Sequence, residues 1–313
     1  MAKNYKYQIQ NIQDYQLVGL QSNSSNSSFS IIPSLGASLN SVVLNGHNIL
    51  WSATNLQEIQ ERTIKSYAGA QLAPFVNRIK DASYSFKQKK YNLVKNEPGL
   101  GNALHGLVFD KSFELVTINE AEGILKLNYD FKAQDAYPFD FAIENSFRLA
   151  DNSLTIDTAI TNKSEEVIPI GHGWHLYFDI GGNIDDAHLQ LAANKYFLVD
   201  EQFIPTGELK QFDKFAQLSQ IAKTELDYCF PIDTSNNLVA QLFYPEKGLR
   251  ISLLTEGYKY LQVYTPSDRK TIAIEPQTSA ADAFNNGIGL IRLEPNQSIN
   301  LKFQILASTT SYS

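Results

Sequence analysis

With 313 residues, 43% hydrophobic, and a net charge of −7, the chain can bury a large core but offers little basic surface for nucleic acid. Its longest basic cluster is Lys87-Gln88-Lys89-Lys90, far short of the stripe that a duplex-binding face needs. Cys229 is the single cysteine, which excludes an intrachain disulfide and a cysteine-built zinc site.

The opening MAKNYKYQIQNIQDY lacks the apolar core of a signal peptide, and no run of about 18 apolar residues suits a membrane span. A cytoplasmic protein without membrane attachment is therefore expected. The polar stretch 22–28, all Ser and Asn, lies between strand-like segments and predicts a hairpin tip rather than a linker. Residues 56–66 fit either a short helix or an irregular loop. Phe75-Val-Asn77-Arg78 follows, and then Asn102-Ala-Leu-His105-Gly106. Arginine offers a planar donor fork, and asparagine and histidine add short polar contacts suited to hydroxyls. Each of these motifs alone fits a structural role equally well.

Period-two alternation marks strands at 112–118, 125–131, 142–149 and 154–160, and again at 238–244, 250–254, 260–264 and 300–306. Short Gly, Asn, Asp or Pro breaks between many of them predict antiparallel hairpins. Residues 213–222 are a second segment that fits helix or loop. No internal repeat or composition break divides the chain, so one all-β supersandwich over 1–313 is expected, mostly antiparallel with few short helices.

The densest run of chemistry-bearing residues is Gly171-His-Gly-Trp-His-Leu-Tyr-Phe178. Read as a strand, it puts Gly173, His175 and Tyr177 on one face and His172, Trp174, Leu176 and Phe178 on the other. Gly173 would let a ligand approach the backbone closely. A core strand with one hydrogen-bonded histidine is the plainer reading. A metal site would need His172 and His175 on one side, which strand alternation opposes, so no metal is expected. In 271–277, Ile272 and Ile274 face the core while Thr271, Ala273, Glu275 and Gln277 share the other face. Glu275 is either functional there or a solvated edge residue. Asp227 sits amid apolar neighbours, where a carboxylate must be exposed, paired or functional.

In chain order these segments resemble the aldose 1-epimerase (galactose mutarotase-like) family. The resemblance rests on Asn77-Arg78-Ile79, Asn102 through Gly106, His175-x-Tyr177-Phe178, Leu226-Asp227, and Glu275-Pro-Gln277 running into Asp282-Ala-Phe-Asn285. Gly36-Ala-Ser-Leu39 and Asn45-Gly46 resemble the family's opening hairpins. The resemblance implies a cofactor-free and metal-free isomerase that interconverts α and β anomers of a hexose such as glucose or galactose. By position Glu275 matches the general base and His175 the general acid. Arg78, His105 and Asp227 match sugar-binding residues, with Asn77, Tyr177 and Gln277 as pocket neighbours. His172 has no clear counterpart.

In that chemistry Glu275 takes the C1 hydroxyl proton while protonated His175 donates to the ring oxygen. A neighbouring carboxylate is expected to raise the His175 pKa. Two alternatives stay open: a hexose-6-phosphate 1-epimerase, with Lys80 and Lys89 near Arg78 in sequence, and a non-catalytic carbohydrate-binding protein. The sequence is compatible with a monomer or a dimer.

Overall fold

Period-two alternation becomes antiparallel sheet throughout the computed structural model, which describes residues 4–179 and 181–309. The expected strands at 125–131, 142–149 and 154–160 are Ile124–Phe131, Phe141–Ala150 and Ser153–Asn162. They lie side by side in a nine-stranded sheet that continues through Ser298–Thr309, Leu249–Glu256 and Leu238–Tyr244. Along Phe141–Ala150, buried residues alternate with more exposed ones, so one face packs on the core and the other meets solvent. The 22–28 stretch is a hairpin tip, joining Tyr15–Ser22 to Ser28–Ile32 in an N-terminal five-stranded sheet.

The two segments that fit helix or loop diverge. Asn55 caps Leu56–Glu58, its side chain accepting from the Glu58 amide at 2.9 Å, and the helix continues as a wider π-helical winding over Ile59–Lys65. Residues 213–222 hold no helix. Their fully buried anchors, Phe215 and Ile221, are six apart, which no single helical face repeats, and Ser219–Gln220 pairs as an edge strand instead.

A six-stranded sheet carries the chemistry-bearing segments: Asp227–Pro231, Tyr260–Tyr264, Ile272–Gln277, Gly173–Trp174 and Gln71–Leu72 in that order, with Tyr177–Phe178 also paired to Ile272–Gln277. Its back face packs on the nine-stranded sheet. Trp174 wedges between Phe147 and Phe303, with ring centroids 6.1 and 5.7 Å away.

A buried polar network also ties the two sheets. The amides of Gln71 and Asn145 bond reciprocally at 3.0 and 3.1 Å, and Thr158 donates to Asn145 at 2.8 Å. Gln71 Nε2 reaches His172 Nε2 at 2.8 Å, and the opposite ring nitrogen meets the Tyr258 hydroxyl at 3.1 Å. An imidazole accepting at Nε2 carries its proton on Nδ1 and donates it to Tyr258. Burial pushes His172 down to about 3, so it is neutral. His172 is therefore a satisfied core histidine.

Removing one member of this network strands the others in a dry interior. Asn145→Ala is expected to lower unfolding free energy by about 3 kcal/mol, because Gln71 and Thr158 lose their shared partner. Urea denaturation monitored by Trp fluorescence measures this, and a change under about 0.5 kcal/mol would mean that water replaces the amide.

Candidate active site

Strand register brings the separated motifs into one row. Asp227 lies opposite Tyr264, Tyr264 opposite Ala273, and Ala273 opposite Tyr177. One step along, Cys229, Gln262 and Glu275 are successive cross-strand partners. Gly173 pairs with Gln277 and Tyr177 with Ala273, so the residue between them, His175, falls beside Glu275. The strand is interrupted at His175 and Leu176, yet the alternation survives: His175 stacks on Tyr177 at 5.0 Å, while Trp174 points into the core.

Of these, Asp227, Gln262, Tyr264, Glu275, His175 and Tyr177 line a cavity of about 320 Å³ with Lys65, Tyr67, Asn77, Arg78 and His105. A larger surface depression of about 500 Å³, bordered by 190–194 and 231–241, has Asp233 as its one titratable lining residue and so carries no acid–base pair.

At the cavity floor His175 Nε2 stands 3.4 Å from Glu275 Oε1. Both are nearly sealed, at 6% and 2% exposure, so Glu275 is no solvated edge residue. Burial pushes Glu275 well above the ordinary carboxylate range and His175 down to about 3. The expectation that a carboxylate raises His175 fails here, because losing water costs the imidazolium more than its neighbour returns. Between those limits the pair holds one proton.

Gln277 stands behind the pair rather than in the cavity. Its Nε2 donates to Glu275 Oε2 at 3.0 Å, and its Oε1 is buried without a partner. Gly173 does not open the backbone to a ligand either. A Cβ there would meet Gln277 Cγ and Val76 Cγ1, each at 3.1 Å, so the missing side chain admits Gln277.

Asp227 accepts from Gln262 at 2.7 Å, and burial raises its pKa. His105 lies 5.0 Å from the His175 ring and is held neutral by burial first, then by His175 and Arg78. The Nδ1 atoms of His105 and His175 are buried without partners. Such unsatisfied groups are rare and suit a polar ligand. Gly106 fixes the His105 loop: at φ +80°, a Cβ would sit 2.2 Å from the Ala73 carbonyl oxygen. Asp282 accepts from the Lys80 amide at 3.0 Å and donates its own amide to the Arg78 carbonyl at 2.6 Å, so it pins the Arg78 strand.

Residues not anticipated from the sequence complete the rim. Gln262 had a signal, since alternation over Tyr260–Tyr264 places it on one face with two tyrosines. Tyr67, whose ring is 4.5 Å from His105, had none. Glu97 had none either, although it bonds Arg78 Nε at 3.0 Å.

The many-stranded antiparallel sandwich that carries the His175–Glu275 pair belongs to the galactose mutarotase-like fold class. A galactose mutarotase-like protein from Clostridium acetobutylicum matches with TM-score 0.87 at 20% identity, covering 99% of this chain and 100% of that one. Galactose 1-epimerase from Lactobacillus acidophilus NCFM gives 0.82 at 18% identity, covering 98% and 99%. The aldose 1-epimerase family matches residues 20–306, and the chain belongs to that family. The uncharacterized protein YihR of Escherichia coli strain K12 is 29% identical over 248 residues, 77% of this chain and 79% of that protein. Human galactose mutarotase is 29% identical over 150 residues, spanning 46% of this chain and only 42% of that enzyme.

The buried carboxyl has a consequence for stability. Its folded pKa lies above its unfolded value, so stability is lost as pH rises past the ordinary carboxylate range. Neutral Glu275→Gln removes that penalty and should melt higher than wild type near pH 7. The difference should shrink toward pH 4, where both side chains are uncharged. Calorimetric Tm values across this range would reject the assignment if the variant melted lower throughout.

Proposed function

We propose that the chain is an aldose 1-epimerase that interconverts the α and β anomers of a neutral aldohexose, using Glu275 and His175 as its acid–base pair. The observation that carries this reading is the 3.4 Å contact of the two side chains at the floor of a polar cavity. Membership of the aldose 1-epimerase family and the galactose mutarotase relatives support it.

Ring opening starts from Glu275 carboxylate and His175 imidazolium. The carboxylate removes the C1 hydroxyl proton as the imidazolium protonates the ring oxygen, and the C1–O5 bond breaks. Both side chains are then neutral, the state that burial favours. Rotation about C1–C2 presents the other aldehyde face, and reversal of both transfers closes the second anomer. Arg78, His105 and Asp227 hold sugar hydroxyls, with Asn77 and Tyr177 beside them. Gln277 steadies Glu275 from behind.

Charge pairing favours a neutral sugar over a hexose 6-phosphate. Arg78 is matched by Glu97 at 2.8 Å and Lys80 by Asp200 at 2.7 Å, so neither waits for a phosphate. Lys65 is the remaining cation of the cavity lining. A sugar-binding protein without catalysis has no use for a buried pair sharing one proton.

Polarimetry of freshly dissolved α-D-glucose and α-D-galactose tests the reading. Wild type should accelerate equilibration, while folded Glu275→Gln and His175→Asn should lose about 10² to 10⁴-fold in kcat. A folded wild type inert on both sugars but active on hexose 6-phosphates would replace this substrate assignment. Inertness on all of them, with sugar still bound, would favour the binding protein.

The pH profile of kcat/KM follows from the single shared proton. Activity should fall on the acid side as pH drops toward about 3, where His175 and Glu275 both carry protons. It should fall again where the raised Glu275 limit is passed and the pair is stripped. Between these limbs the rate should be level. A rise in rate centred near pH 6.5, the ordinary imidazole value, would contradict the buried-pair account.

A further inference from the structure

We infer that Glu97 positions Arg78 and cancels its charge, so that the cavity reads the hydroxyls of a neutral sugar. This rests on the sugar-epimerase reading above.

Glu97 meets the guanidinium side-on. Arg78 Nε donates to both carboxylate oxygens, at 3.0 and 3.2 Å, and the NH2 group lies 2.8 Å from Oε1. The NH1 group donates to Asn77 Oδ1 at 3.2 Å. Of the roughly five N–H groups on an arginine, about two are left for a ligand. Phe203 closes one flat side, its ring centroid 4.8 Å from the guanidinium carbon. The head group is thus fixed in plane and in tilt.

Glu97 is itself held. Asn102, fully buried, donates to Glu97 Oε2 at 2.8 Å and to the Gln202 carbonyl at 3.2 Å, while its Oδ1 accepts from the Asp81 amide at 3.1 Å. Its neighbour Asn96 brackets Leu104, accepting from the amide at 2.6 Å and donating to the carbonyl at 3.2 Å. The Glu97 loop therefore sets Arg78 on one side and the strand leading into His105 on the other.

The side chains of Arg78 and Glu97 are only 17% and 11% exposed. A pair so withdrawn from water loses desolvation energy that roughly offsets its attraction, so stability alone is a poor reason for it. Orientation and charge are what it supplies. A cavity that already holds Asp227 and Glu275 would still attract anions at a bare guanidinium, and Glu97 removes that attraction.

Wild type, Glu97→Gln and Glu97→Asp proteins are compared by polarimetry, and by calorimetric titration with galactose and with galactose 6-phosphate. Equal circular dichroism and Tm establish that each is folded. Glu97→Gln should raise KM for galactose about tenfold and change kcat less than about twofold, the signature of lost ground-state positioning. It should also tighten galactose 6-phosphate about tenfold, which a merely structural role would not do. Glu97→Asp keeps the charge, so it should show an intermediate KM and no gain for the phosphate. Folded variants with wild-type KM and unchanged phosphate affinity would overturn the inference while leaving the epimerase reading intact. If wild type proves not to be an epimerase, galactose titration still decides. Weaker binding by Glu97→Gln upholds the positioning role, and equal binding sinks it. Should Glu97→Gln not fold, wild-type KM in Glu97→Asp overturns the role and an intermediate value upholds it.

Discussion

The antiparallel register of Tyr260–Tyr264 on Ile272–Gln277 is the constraint on which the rest of the cavity depends. It sets Gln262 against Glu275 and Tyr264 against Ala273, and the pairing of Tyr177 with Ala273 on the other side of the strand leaves His175 to meet the carboxylate across a short gap. A slip of one residue would turn Glu275 into the core and Ile274 outward. The core prevents the slip. Ile272 and Ile274 are essentially sealed on the back face, and Trp174 locks the neighbouring segment between Phe147 and Phe303. Apolar packing behind the sheet therefore holds the positions of polar groups in front of it.

The rim is built differently. Tyr67, Asn77, His105 and Phe203 all have φ between +51° and +62°, the left-handed region that side chains other than glycine rarely adopt. Three line the cavity and the fourth braces Arg78. Each kink turns a side chain out of a loop at an angle that a regular strand could not offer. Such backbone costs about 1–3 kcal/mol per residue and persists only where surroundings over-determine it. Here those surroundings include the Gly106 close approach, the Asp282 bonds to the Arg78 strand, and the Asn102 amide.

This division explains what could be read from the sequence. Strands such as Leu238–Tyr244 and Tyr260–Tyr264 repeat with period two, so their limits were legible residue by residue. Glu275 and His175 stood out because each interrupts apolar sequence. The residues alone left both open between a functional and a structural role, and the acid–base reading came from the family resemblance. Glu97 and Tyr67 did not stand out, since a loop has no period and their partners are distant in the sequence. Glu97 acts on Arg78, 19 residues away. The protonation of the pair was misread for a related reason. The sequence shows that a carboxylate neighbours His175 but not that both are sealed from water, and it is the sealing that drives each group neutral. Gly173 was misread likewise: small size implies space, but only packing shows that Gln277 fills it. Residues 213–222 offered a helix because their polar spacing tolerates one, while Phe215 and Ile221 are anchored independently.

The choice of one imidazole and one carboxylate follows from the same dryness. Two carboxylates sharing a proton would leave a net negative charge in the cavity at every stage, and two imidazoles sharing one would leave a net positive charge. With one of each and one proton, the pair is net neutral both as an ion pair and as neutral partners. In the proposed reaction a proton passes from Glu275 to the sugar and from the sugar to His175, or the reverse, without altering that sum. A low-dielectric site tolerates movement of charge between adjacent groups far better than creation of a new net charge. The burial that opposes the ion pair thus favours the neutral partners that the proposed ring opening produces. Under the proposed mechanism, the energy spent in sealing Glu275 and His175 is returned at the step where the C1–O5 bond breaks.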